Sequence, residues 1–131
     1  MRHLFFLFSL TFLIVTSCKK ESTDHPETPR KIQFSLYTDK DFSTDNSNIV
    51  FTVVIENSTN KVLWDSTLAT MKIKDIPDLA HKLVIEKLAP GNNNSLLRVG
   101  FLYTIENVGN SWHWDYSNPG ETFKKVEFNF K

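Results

Sequence analysis

From Lys31 onward, apolar and polar residues alternate at period two, the pattern of strands with one buried face. Ile32, Phe34 and Leu36 alternate with Gln33, Ser35 and Tyr37. Ile49, Phe51, Val53 and Ile55 line one face of a second strand, and Val50 and Val54 on the other face suggest partial cover there as well, as for a central strand. The turn residues Asn57-Ser58-Thr59-Asn60 lead into Lys61–Asp65, where alternation puts Val62 and Trp64 on one face. Met71 and Ile73 alternate with Lys72 and Lys74 in a short piece ended by Asp75-Ile76-Pro77-Asp78. Asp78–Leu88 is long enough for a helix, but Val84 and Ile85 are β-branched and Ala89-Pro90 closes the stretch, so a strand is expected from Lys82 to Lys87. Leu97, Val99, Phe101, Tyr103 and Ile105 form the longest alternation. Val108-Gly109-Asn110-Ser111 reads as the hairpin connection to Trp112, Trp114 and Tyr116. After Asn118-Pro119-Gly120, a last strand carries Val126, Phe128 and Phe130. Seven or eight short strands in about a hundred residues predict an all-β, antiparallel sandwich.

The first thirty residues follow another pattern. Arg2 and His3 precede an apolar run from Leu4 to Val15, broken only by Ser9 and Thr11. Twelve residues at about 1.5 Å each cannot cross about 30 Å of hydrocarbon as a helix, so an export signal is expected here and not a membrane span. Lys19 to Asp24 are all polar, and Pro26 and Pro29 punctuate the stretch before Lys31. The expected organisation is a signal peptide over residues 1–17, an extended tether over 18–30 and a single domain over 31–131.

Val15-Thr16-Ser17-Cys18 resembles the lipobox of bacterial lipoproteins, with valine at the position where leucine is usual. The resemblance implies cleavage before Cys18, a diacylglyceryl thioether on its sulfur and acylation of the new amine. Such a chain would be held to the membrane through lipid on Cys18; two or three acyl chains anchor durably where one holds only marginally. It implies a place in the cell envelope, with the outer membrane the expected site and its periplasmic or surface face left open. Met71–Pro77 followed by Lys82–Glu86 resembles the strand, proline-bearing loop and strand of prealbumin-like or immunoglobulin-like modules in exported bacterial proteins, and the whole layout is similar to small lipoproteins of Bacteroidota. That likeness implies an accessory or binding role.

Cys18 is the only cysteine, so a lipidated chain has no thiol left for a disulfide, a nucleophile or a metal. Arg2 is the only charged residue among the first 17, which leaves 14 Lys and Arg against 15 Asp and Glu, a net charge of −1. This balance, without a basic block, predicts no nucleic-acid partner.

Few constellations suggest chemistry. Asp39, Asp41, Ser43 and Asp45 stand at alternate positions like the oxygen ligands of a calcium loop, but Thr44 and Val50 occupy the positions where an EF-hand needs glycine and a bidentate glutamate. Asx turns on a solvated loop are the simpler expectation, with calcium the alternative. His113 and Asp115, on the face opposite the Trp112 rings, read as a solvent-facing pair, and the chain is poorly supplied for zinc. Ser66, Asp65 and His81 make no recognisable triad motif, and Glu106 with Asp115 is the one carboxylate pair to consider. No enzyme and no cofactor are expected.

Trp112, Trp114 and Tyr116 share one strand face. A sandwich without disulfides needs the 150–250 Å² that each such ring buries, so these rings, with Trp64, are expected in the core. The alternative is an open platform on which sugar rings stack. The sequence therefore points to a lipid-anchored, non-enzymatic interaction domain with an unidentified protein or glycan partner, and the glycan-binding alternative turns on whether those rings are exposed.

Overall fold

The computed structural model describes residues 28–131; the expected signal peptide, Cys18 and the tether as far as Glu27 lie outside the described residues. Eight strands run in chain order: β1 (Lys31–Thr38), β2 (Asn48–Asn57), β3 (Val62–Thr67), β4 (Met71–Lys72), β5 (Leu83–Leu88), β6 (Leu97–Ile105), β7 (Gly109–Ser117) and β8 (Phe123–Phe130). They form an all-β sandwich. One sheet has the order β5-β1-β8 and the other β3-β2-β6-β7, with β4 continuing the β3 edge against β2. Asp78–Leu88 contains one 3-10 turn, Leu79–His81, and otherwise takes the expected strand.

The alternation explains the layers. Ile32, Phe34 and Leu36 of β1, Ile49, Phe51, Val53 and Ile55 of β2, Val99 and Phe101 of β6 and Val126 of β8 are almost fully buried between the sheets. Phe34 meets Phe101 edge-on at 5.8 Å, and Phe51 and Phe101 both reach Phe128, at 6.3 and 5.5 Å. Val54, on the other face of β2, is also buried, as its central position requires.

Three local features depart from the expected pattern. Every strand pair is antiparallel except β1 and β8, which run parallel from Lys31 beside Phe123 to Thr38 beside Phe130. A register shift between Ile55 and Glu56 sets Trp64 opposite Ile55 but Val62 opposite Glu56. This bulge places Val62 and Trp64 on opposite faces: Trp64 packs inward near Phe34, and Val62 is exposed. The β6–β7 connection is Glu106-Asn107-Val108, with Asn107 left-handed at φ 61°, and Gly109 already pairs with Ile105. Gly109 to Ser111 therefore belong to β7 and not to the turn.

Arg30, expected at the end of the tether, is part of the domain. Only 1% of it is exposed, and its guanidinium donates to the backbone carbonyls of Asn93, Ser95 (2.9 Å), Ser117 (3.3 Å) and Glu121 (3.2 Å). One side chain thus ties the Pro90–Leu96 loop to the Asn118–Thr122 loop where the chain enters β1. Burial pulls the guanidinium below its ordinary pKa, and the charge of Glu121 opposes that shift.

Candidate functional site

The outer face of the five-stranded sheet is set by the β6–β7 register. Phe101, Val99 and Leu97 point into the core, so Arg98, Gly100, Leu102 and Thr104 point out, opposite Tyr116, Trp114, Trp112 and Asn110 respectively. The three aromatic rings expected in the core therefore lie on the outer face. Trp112 is 65% and Tyr116 52% exposed. Of the tryptophans, only Trp64 joins the core cluster.

Trp114 differs from its two neighbours. It lies across Gly100, whose absent side chain makes room for it: a Cβ there would stand 2.9 Å from the Trp114 ring and 2.0 Å from the His113 carbonyl oxygen. The Arg98 guanidinium covers the Trp114 ring at 4.4 Å from its centroid. Glu56, 7% exposed, holds Arg98 through hydrogen bonds from Nε (2.8 Å) and Nη2. Trp114 is thus committed to the sheet, like an aromatic that covers a cross-strand glycine. Trp112 and Tyr116 are left free on either side of it.

Beside Trp112 the face dips into a groove of about 310 Å³ lined by Val50, Thr52, Leu102, Thr104 and Asn110. Thr104 Oγ1 donates to Asn110 Oδ1 at 2.7 Å, and Thr52 and Thr67 share a hydroxyl hydrogen bond of 2.9 Å across β2 and β3. Nothing is paired with the free edge of β7 among the described residues. No protein-family model, curated protein or solved structure gives a significant match to the chain.

The other candidates are dispersed. Asp41 and Asp45 accept from the backbone N–H groups of Ser43 and Ser47, both at 2.9 Å, as Asx turns, and these bonds hold both carboxyls below the ordinary aspartate value. Asp39 bonds Asn129 at 2.8 Å, a contact that lowers its pKa in the same way. The three carboxylates do not converge, and among the described residues no group of three or more metal-ligating side chains forms. His113 and Asp115 lie on the inter-sheet side of β7, because the register that turns Trp112 out turns them in, although 42% of the Asp115 side chain still meets solvent. His113 stacks on Phe128 at 4.7 Å, and Asp115 pairs with Lys124 at 2.8 Å across the β7–β8 gap. Burial pushes the Asp115 carboxyl up, but its bonds to Lys124 and the Tyr116 N–H, with the charges of Lys124 and His113, bring it below the ordinary value. Glu106 is engaged by Asn48 at 2.8 Å in the hairpin turn. Ser66 and Asp65 are adjacent β3 residues and point to opposite faces, while His81 bonds Asp78 at 2.9 Å.

Proposed function

We propose that this chain is a lipid-anchored, non-enzymatic binding module of the bacterial cell envelope, held to the membrane through Cys18, and that it captures a glycan on the outer face of its five-stranded sheet. The observation that supports this reading is the exposure of Trp112 and Tyr116 on one face, beside a groove edged by hydroxyl and amide groups. An exposed tryptophan contributes little to folding. A plate of this kind suits a ligand with an apolar face and a hydroxyl rim, and a pyranose ring has both. A protein partner is the second reading, favoured by the β7 edge, with which no strand pairs among the described residues and which could accept an added strand.

A glycan array followed by affinity electrophoresis tests the ligand. Trp112→Ala is expected to abolish retention without moving the melting temperature. Retention unchanged by that substitution would remove the aromatic face from the proposal, and capture of a protein through β7 with no glycan retained would favour the second reading. The anchor is tested separately by labelling cells with an alkynyl palmitate analogue: incorporation that persists in Cys18→Ala would refute lipidation at that sulfur. Protease shaving of intact cells reports the membrane face.

A further inference from the structure

We infer that the ligand is a neutral, linear oligosaccharide lying along β7, with one sugar ring seated in the groove at Trp112 and another resting on Tyr116. This inference rests on the glycan reading above and specifies what that face selects.

The first argument is spacing. Trp112 and Tyr116 are four residues apart on one face of a single strand, or about 13 Å at 3.3–3.4 Å per residue. A single ring cannot touch both plates, whereas a chain of several can. Trp114 between them already has its face covered by Arg98, so the stacking positions are two separated plates and not a continuous one. β7 is an edge strand, so no neighbouring strand walls off the course of a chain along it.

The second argument is charge. No lysine, arginine, histidine, aspartate or glutamate lines the groove. Arg98, the cation among the Trp114 and Tyr116 rows of this face, is already bonded to Glu56. A carboxylated or sulfated sugar would give up its hydration in the groove and meet no cation among the residues that line it, a penalty that a neutral sugar avoids.

The third argument is the pattern of donors and acceptors. Asn110 Oδ1 accepts from Thr104 and leaves the two Nδ2 hydrogens for a ligand, while the Thr104 oxygen, having donated its hydrogen, keeps acceptor capacity. The Thr52–Thr67 pair has one hydroxyl hydrogen to spare. Sugar hydroxyls both donate and accept, so they can satisfy this mixed set. A purely apolar partner would cover these groups and leave them unpaired. The groove volume of about 310 Å³ lies at the small end of ligand sites and fits a single seat better than a deep binding cleft.

Calorimetry on the chain from Cys18 onward tests the inference, with neutral cello-, malto- and manno-oligosaccharides of one to six units and with oligogalacturonates as the anionic comparison. For at least one neutral series, affinity is expected to rise at least about tenfold with length before levelling. Trp112→Ala and Asn110→Ala should weaken binding at every length. Tyr116→Ala should remove the gain from length and leave the shortest bound oligosaccharide unaffected. Affinity independent of length, anionic chains bound as tightly as neutral ones, or Tyr116→Ala without effect on long chains would overturn this inference while leaving the glycan reading in place. If a broad array that includes branched and acidic glycans shows no retention, both fall.

Discussion

Arg30→Ala should be among the most damaging single changes available outside the apolar core. The side chain is buried and donates to four backbone carbonyls from two loops that are otherwise joined at this point only by the Gly120 N–H to Asn93 carbonyl bond, at 2.7 Å. Truncation removes all four bonds at once. Hydrogen bonds to a charged group contribute about 1.5–3 kcal/mol each where water cannot replace them. Only the bond to Ser117 is fully enclosed; the other three carbonyls are partly buried and can recover water in part. A loss of about 3 kcal/mol follows, a large share of the 5–15 kcal/mol typical of a domain. In a domain of this size it corresponds to a melting temperature lower by about 12–24 °C. Arg30→Lys keeps the charge but not the planar fork and should lose about half as much. Urea denaturation monitored by tryptophan fluorescence, with unchanged m-value as the check on two-state behaviour, measures the difference. A midpoint for Arg30→Ala corresponding to less than about 1 kcal/mol of destabilisation would refute the view that this residue clamps the two loops. A chain started at Lys31 should behave like Arg30→Ala.

Other outcomes follow from the packing and the charges. Trp64→Ala, in the core, is expected to cost about 3 kcal/mol or more, while Trp112→Ala should stay within about 0.5 kcal/mol of the parent; equal losses in thermal melts would contradict the assignment of faces. Gly100→Ala should destabilise by about 3 kcal/mol, the upper end for overpacking, because the added carbon meets backbone and cannot be relieved by a rotamer change; amide exchange should rise along β6 and β7. Stability should also fall in acid. Asp39, Asp41, Asp45, Asp78 and Asp115 lie below their ordinary 3.8, and Glu86, Glu121 and Glu127 below 4.5. Carboxyls depressed in the folded state contribute stability that is complete above those ordinary values and is lost as pH falls through the folded ones. Urea midpoints that stay level down to pH 3 would count against these assignments.

The strand layout was legible because β1, β2, β6 and β8 alternate cleanly and each has one face largely enclosed. The departures have specific causes. Period-two reading assumes an unbroken ladder, and one extra residue at Leu63 reverses the phase between Val62 and Trp64. In β7, Trp112, Trp114 and Tyr116 alternate with Ser111, His113 and Asp115, and hydrophobicity alone sends the rings inward. The register decides otherwise. Phe101 must face the core, and pairing across Glu106-Asn107-Val108 sets His113 opposite Phe101 and Trp112 opposite Leu102. The signal was available in the polar or small residues Arg98, Gly100 and Thr104 on the outer side of β6, but it could be used only once the turn was placed at Asn107. Arg30 carries no local signal, because its partners are backbone carbonyls more than sixty residues away.

The parallel pairing of β1 with β8 also bears on timing. β1 is the middle strand of its sheet, and one of its two neighbours lies 92 residues further along the chain, as the Thr38 hydroxyl bond to the Phe130 carbonyl shows. Until β8 arrives, the three-stranded sheet is only the β1–β5 pair, and Phe128 and Phe130, which pack on Phe51, are missing from the core. Closing so long a loop makes the fold slow to complete. A chain still being made would therefore stay open until β8 has been released.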